Sequence, residues 1–354
     1  MSPELKLPVN RGFNFLLALS CVVVVIGGVK LASDLVVPIV LAFFLSVISM
    51  PILKLLRSYG IPRFLAVLLT VIVGLGILSP IVFIGLNMVS EFQNNFDNYN
   101  ERLVTKASQF QKWLSDEFDY NMTIDAEKVI STIQSYVFNF IGGAADFLKD
   151  FVFVVILMIF FLSEGGGFSR KLALVKKANG PDFAAFSETA KDVQKYLGIK
   201  TLVSLVTGLL AGLYTWWLGL DFALLWGMVA FIFNYIPAIG SIIASIPPTL
   251  LALIDDKGGP GMALAVLIGY LLINVVLGNF VEPMLLGKRF GISAAIVVLS
   301  VVFWGWLWGI TGMFLAVPLT MLLKVSLSDS EEFRWFSVLI GTPPRNGKNV
   351  KETS

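Results

Sequence analysis

Apolar residues run almost unbroken through long stretches of this chain, and polar residues gather between those stretches instead of alternating with them. Phe13–Leu31, Leu35–Leu56, Phe64–Val89, Phe147–Ser163, Thr201–Leu218 and Met262–Val281 each reach the roughly 17–25 residues that carry a helix across about 30 Å of hydrocarbon. Two further apolar regions, Phe222–Ile254 and Ile292–Val325, are too long for one ordinary crossing, and each contains a kink centre. Asn234, Pro237, Gly240 and Ser241 interrupt the first, with Pro247-Pro248 further on, and Gly312 and Pro318 interrupt the second. Hydrocarbon cannot satisfy freed backbone N–H and C=O groups, so such breaks persist only where they line a cavity or lie inside protein. Transporters place their substrate sites at breaks of this kind. The pattern predicts an all-α polytopic membrane protein with about six full transmembrane helices, two broken or re-entrant helical hairpins and a small external helical segment.

Charge orients these spans. With the N-terminus in the cytoplasm, Lys54, Arg57 and Arg63 fall inside, and the acid-rich segment Met88–Asp146 falls outside. The run from Arg170 and Lys171 to Lys195 and Lys200 then returns to the cytoplasm, as the positive-inside rule expects. A single crossing by Phe222–Ile254 would put Lys288-Arg289 outside, against that rule; a hairpin leaves Asp255-Asp256 outside and Lys288-Arg289 inside. Ile292–Val325 becomes, by the same logic, a hairpin entering from the cytoplasm, with both termini inside. Trp304, Trp306 and Trp308 favour an interface and pull the other way, toward a second hairpin that crosses fully. The two hairpins resemble each other weakly, since Ile239–Leu253 and Ile310–Leu323 both run from glycine through an apolar turn to proline and threonine.

The expected organisation is N-terminal transmembrane helices over 1–89, an extracytoplasmic helical hairpin over 90–146, and a transmembrane helix with a cytoplasmic amphipathic helix over 147–200. A transport core with two hairpins follows over 201–325, and a cytoplasmic tail over 326–354. In the amphipathic helix Phe183, Phe186, Ala190, Val193 and Leu197 form a docking stripe; Phe92, Phe96, Tyr99 and Leu103, then Val129, Ile133 and Tyr136, mark helices outside. The N-terminus has the shape of a signal peptide, but Lys30 follows the apolar run without a cleavage site, so an uncleaved first helix is expected.

Composition confirms the class, at 56% hydrophobic and 14% charged residues with a mean hydropathy of +0.83. A net charge of +2 gives no reason to expect nucleic acid as a partner. The one cysteine, Cys21, excludes an intrachain disulfide and a cysteine metal cluster, and the absence of histidine excludes zinc-peptidase motifs. Neither a phosphate-binding loop nor a nucleophile elbow is present, so neither an enzyme nor a cofactor or metal site is expected.

Ionisable residues at membrane depth are candidates for function by default. Glu282 leads. On an α-helix Asn279 shares its face, with Asn274 less well aligned, and Pro283 frees the carbonyl of Asn279. Carboxylate, amide and carbonyl suit a cation or a polyhydroxylated solute; the plainer reading pairs Glu282 with Lys288 or Arg289. Asn234 either faces a solute or caps freed backbone, and Gly240 and Ser241 offer N–H groups at a helix N-terminus. The expected substrate path is therefore Asn234, Pro237, Gly240, Ser241, Asn274, Asn279 and Glu282. Phe231, Tyr235 and Trp304 serve as walls or gates, and Pro247, Pro283, Gly312 and Pro318 as structural breaks. Gly208–Gly212 and Gly305–Gly309 are small-xxx-small patterns that let helices approach closely.

Three stretches, LWGMVAFIFNYIPAIGSIIASIPP, LINVVLGNFVEPMLLGKRFGIS and VVLSVVFWGWLWGITGMFLAVPLT, together with Val36–Val67, resemble the autoinducer-2 exporter family of bacterial membrane proteins. The resemblance covers nearly the whole chain. It implies a multi-pass inner-membrane exporter of a small polar signal, autoinducer-2 or similar, that assembles as a homo-oligomer, a pentamer by that resemblance. It also implies, as an alternative, sodium or lithium exchange for protons, for which the absence of histidine leaves Glu282 as the proton carrier. A different class remains open from the residues alone, an oligomeric membrane scaffold without transport.

Overall fold

The computed structural model describes residues 11–94, most of 101–116, 151–165, 184–255, 258–286 and 292–328. Among them the regular elements are helices: α1 (Arg11–Leu31), α2 (Ser33–Ser58), α3 (Arg63–Asn94), α4 (Phe151–Gly165) and α5 (Ala184–Trp217). They continue with α6 (Ala223–Phe233), α7 (Gly240–Ile254), α8 (Pro260–Leu286) and α9 (Ala294–Ser328). Each of the six uninterrupted apolar runs is helical over its described residues, and the protein is an all-α polytopic membrane protein. The helices show apolar side chains outward over most of their length; Val23, Val24 and Val25 of α1 and Leu205 and Leu209 of α5 are all exposed. An exposed apolar belt would be a liability in water and is what hydrocarbon requires.

The buried core is small and lies where helices cross. Ala42 and Leu53 of α2 pack with Ala66, Val67 and Val71 of α3 and with Val154, Met158 and Leu162 of α4. Ala211 of α5 packs with Trp226 and Ala230 of α6, Leu251 and Ala252 of α7, and Val266 and Tyr270 of α8. Close approach of α5 and α6 depends on glycine. A Cβ on Gly208 would fall 2.7 Å from the carbonyl oxygen of Gly227, and one on Gly227 would fall 3.0 Å from Cα of Gly212. The Gly208–Gly212 pattern is thus a helix-packing surface.

The interrupted region Phe222–Ile254 folds as a helix, a turn and a returning helix. Its limbs α6 and α7 are 11 and 15 residues long, or roughly 16 and 22 Å, against about 30 Å of hydrocarbon. The chain reverses over Asn234–Ile239, with Ala238 at φ 63°. Gly240 opens the return limb because a Cβ there would run into the backbone of Phe233. At the far end, Lys106 Nζ donates to the backbone oxygen of Asp255 at 3.1 Å, which ties the segment after α3 to the end of α7.

The second interrupted region is also folded back, as two helical limbs joined at a bend. Trp304 Nε1 donates to Thr320 Oγ1 at 3.1 Å; sixteen residues apart on a straight helix, the two would lie roughly 24 Å from each other. The reversal is at Trp308 (φ −130°, ψ 21°) and Gly309 (φ 61°, ψ −144°), the latter a conformation that essentially only glycine adopts. Two expectations are corrected here. In the Gly305–Gly309 pattern only Gly305 lets the two limbs approach, with Met313 against it, while Gly309 forms the bend itself. The proposed breaks are also displaced: Pro247 and Pro318 lie within continuing helix, and Gly312 begins the return limb just past the bend. A proline costs a helix one hydrogen bond and kinks it, whereas reversing the chain needs residues that leave helical φ and ψ altogether.

Gly312 repeats the device of Gly240, since its Cβ would run into the backbone oxygen of Trp304 at the end of the preceding limb. The two hairpins meet. Ile236, in the first turn, is buried with Val301 and Ala316 from the two limbs of the second hairpin, and Tyr235 packs edge-on to Phe314 at 6.1 Å. Val193 and Leu197 of the predicted docking stripe are buried against Phe44 and Leu315. Phe96, Tyr99, Leu103, Val129, Ile133, Tyr136, Phe183, Lys288 and Arg289, most of the external hairpin and the tail beyond 328 lie outside the described residues.

Candidate functional site

Along α5, Lys200, Ser204, Thr207, Ala211 and Thr215 recur at spacings of four, three, four and four, which places them on one face of the helix. All five are buried, while Leu202, Leu205, Val206, Leu209 and Leu213 face outward. Thr207 and Thr215 satisfy their own hydroxyls by donating to Val203 and Ala211 carbonyls one turn back, so they cost little inside the bundle. Lys200 and Ser204 instead reach across to other elements.

At the turn of the first hairpin Asn234 is 4% exposed, and its amide donates to Ser204 Oγ at 2.9 Å. Beside it Tyr235 donates to Thr201 Oγ1 at 2.8 Å and packs edge-on to Phe231 at 5.8 Å. At the start of the return limb, Ser241 Oγ donates to Asn274 Oδ1 of α8 at 2.6 Å. These contacts make a polar seam where the hairpin turn meets α5 and α8. It is closed. The cavity lined by Thr207, Ala230, Ser241, Tyr270 and Asn274 measures about 10 Å³, room for about one water molecule.

The seam ends at an ion pair. Lys200 Nζ donates to both carboxylate oxygens of Glu282 at 2.8 Å each. The side chains are 5% and 13% exposed, and separated from its partner either charge would carry a large desolvation cost. Sequence reasoning missed this partner, because the positive-inside count assigned Lys200 to the cytoplasmic loop. The stripe of polar residues on an otherwise apolar helix was the signal that could have found it.

Around Glu282 the helix itself departs from α geometry. Val275–Val281 is a π-helix, and the N–H of Glu282 reaches the carbonyl of Leu277, five residues back. Pro283 supplies a reason: in an α-helix its ring would crowd the Asn279 carbonyl four residues earlier. The wider turn also separates two residues expected on one face, so that Asn279 is exposed while Glu282 points to Lys200. Such π segments often mark functional sites.

The remaining candidates shape the turns and limbs of the hairpins or lie at the surface. Pro237 shapes the first turn, its carbonyl accepting from Ile239 N–H at 2.7 Å. Gly240 and Gly312 are buried at the starts of the return limbs, Trp304 is bonded to Thr320 and stacked on Trp308 at 5.3 Å, and Pro247 and Pro283 are exposed. The structure therefore brings Asn234, Tyr235, Ser241, Asn274 and Glu282 to one seam and leaves Asn279 outside it.

A family model described as AI-2E family transporter matches residues 19–331. The chain is 33% identical to a candidate transport protein of Haemophilus influenzae over 92% of this chain and 95% of that protein. It is 31% identical to the AI-2 transport protein TqsA of Escherichia coli over 93% and 96% of the two chains. Identity to the candidate transport protein YhhT of Escherichia coli is 30% over 96% and 97%.

Proposed function

The chain belongs to the AI-2E transporter family, and from that premise we propose that it exports a small polar solute, autoinducer-2 or a relative, across the bacterial inner membrane. The observation that carries this reading is the polar seam of buried Ser204 and Asn234 and half-buried Ser241 and Asn274, set where one helix is interrupted and a second is widened. Amide and hydroxyl groups that bond each other when the path is closed are free to bond a polyhydroxylated solute when it opens. Each protein–protein bond lost is then replaced by one to the solute, and no buried polar group is left without a partner.

The two hairpins enter the membrane from opposite faces, and their meeting at Ile236, Val301 and Ala316 forms the barrier. Passage requires them to part, because the closed cavity is far smaller than a sugar-sized molecule. Phe231, Tyr235 and Trp304 wall the path. The pairing of Glu282 with Lys200 neutralises that carboxylate without a proton, which weighs against Glu282 acting as the carrier of a cation/proton antiporter. Both termini are cytoplasmic, and the exposed apolar belt leaves ample surface for lipid and for a homo-oligomer. Transport, not catalysis, is the activity.

Purified protein in proteoliposomes loaded with autoinducer-2 tests the proposal. Protein-dependent efflux, lost in an Asn274→Ala variant that still runs as a single species on size exclusion, is expected. Efflux no faster than from protein-free liposomes would remove autoinducer-2 as the substrate.

A further inference from the structure

Resting on the reading of the seam as a transport path, we propose that Lys200 is a positioning residue of that path: it latches Glu282 and the π turn against α5, and the path opens when this pair separates. Three observations converge on it. The pair joins positions 82 residues apart in sequence, on two helices that both border the closed cavity through Thr207 and Asn274. It sits at the C-terminal end of the π-helical segment Val275–Val281. And Asn274, which immediately precedes that segment, holds the Ser241 hydroxyl of the hairpin. The π turn thus has the solute-facing bond at one end and the latch at the other.

The π turn is the part able to change. It holds extra residues per turn, and relaxing seven residues to α geometry rotates the C-terminal part of α8 by about 100° about the helix axis relative to its N-terminal part. That rotation carries Glu282 off Lys200 and brings Asn279 onto the face of Glu282, the arrangement the sequence pattern favours. Gly278 lies inside the turn, where an added Cβ would fall 3.0 Å from Asn274 Oδ1, so the coil around Asn274 is tight. Removing either partner leaves the other charge buried alone, which disfavours the closed state. A solute that displaces Ser241 from Asn274 disturbs the same turn from its other end, which links occupancy of the seam to release of the latch.

The test reads closure directly and needs no solute. In a Cys21→Ser background, Ser241→Cys is exposed to a water-soluble maleimide in proteoliposomes. Lys200→Met and Glu282→Gln are each expected to raise its labelling rate about tenfold or more, and the exchanged pair Lys200→Glu with Glu282→Lys to bring it back to within about twofold of the parent. Unchanged labelling in both single variants overturns the latch, as does an exchanged pair that labels as fast as the single variants. Should Lys200→Met fail to fold, Glu282→Gln, which keeps the side-chain shape, decides the matter with the exchanged pair. A parent protein that moves no autoinducer-2 sinks the transport reading and leaves the labelling result standing.

Discussion

Asn234 is buried at a helix turn, bonded to Ser204 on another helix, and its replacement separates structural from transport roles. Interhelical hydrogen bonds of this kind stabilise membrane proteins by about 0.6 kcal/mol on average and up to about 1.7. Asn234→Ala is therefore expected to lower the melting temperature in detergent only slightly, while autoinducer-2 efflux falls about tenfold or more; a large melting shift with normal efflux would make Asn234 a structural cap alone. Residue identity made Asn234, Ser241, Asn274 and Glu282 visible in sequence, because polar groups are rare among so many apolar ones. Their partners were less visible. Ser204 and Lys200 look like an ordinary helix hydroxyl and an ordinary boundary lysine until the crossing of α5 with the first hairpin and α8 brings them to Asn234 and Glu282.

At the scale of the element, both hairpins turn on backbone geometry and on glycines that begin the returning limb. Gly309→Ala places a Cβ at φ 61°, ψ −144°, and is expected to cost about 1–3 kcal/mol. The melting temperature in detergent should fall accordingly, and an unshifted one would mean that the bend is not at Gly309. Gly227→Val pushes α6 from α5 at the point where Gly208 and Gly212 press against it. Overpacking of this kind costs about 1–3 kcal/mol or more, so loss of the monodisperse species on size exclusion is the expected result. Helix existence was legible from apolar run length. The position of the second reversal was not, because proline and glycine mark a possible bend without saying which residue takes the non-helical φ. The π turn was hidden for a similar reason, since a pattern read at 3.6 residues per turn assumes the geometry that Pro283 disturbs.

Across the whole molecule, the contact of Lys106 with Asp255 places the segment after α3 and the end of the first hairpin together. Single cysteines at 106 and 255 are accordingly expected to react with an impermeant maleimide from one side of the membrane, and cysteines at Arg57 and Ser326 from the other. Labelling of 255 from the side that labels 57 would turn the first hairpin into a full crossing and reverse the orientation of every later element.

Run length, composition and the distribution of basic residues determined that this is a polytopic helical membrane protein, because the energetics of burying backbone and charge in hydrocarbon act on local sequence alone. They also marked Phe222–Ile254 and Ile292–Val325 as the unusual regions. Only the tertiary structure decided which polar groups face each other. Those pairings depend on the small-residue contact of Gly208 and Gly212 with Gly227, on where each hairpin reverses, and on a helix wound with an extra residue per turn. Each sets the relative rotation of two helices distant in sequence, and rotation between helices leaves no periodic trace in either one.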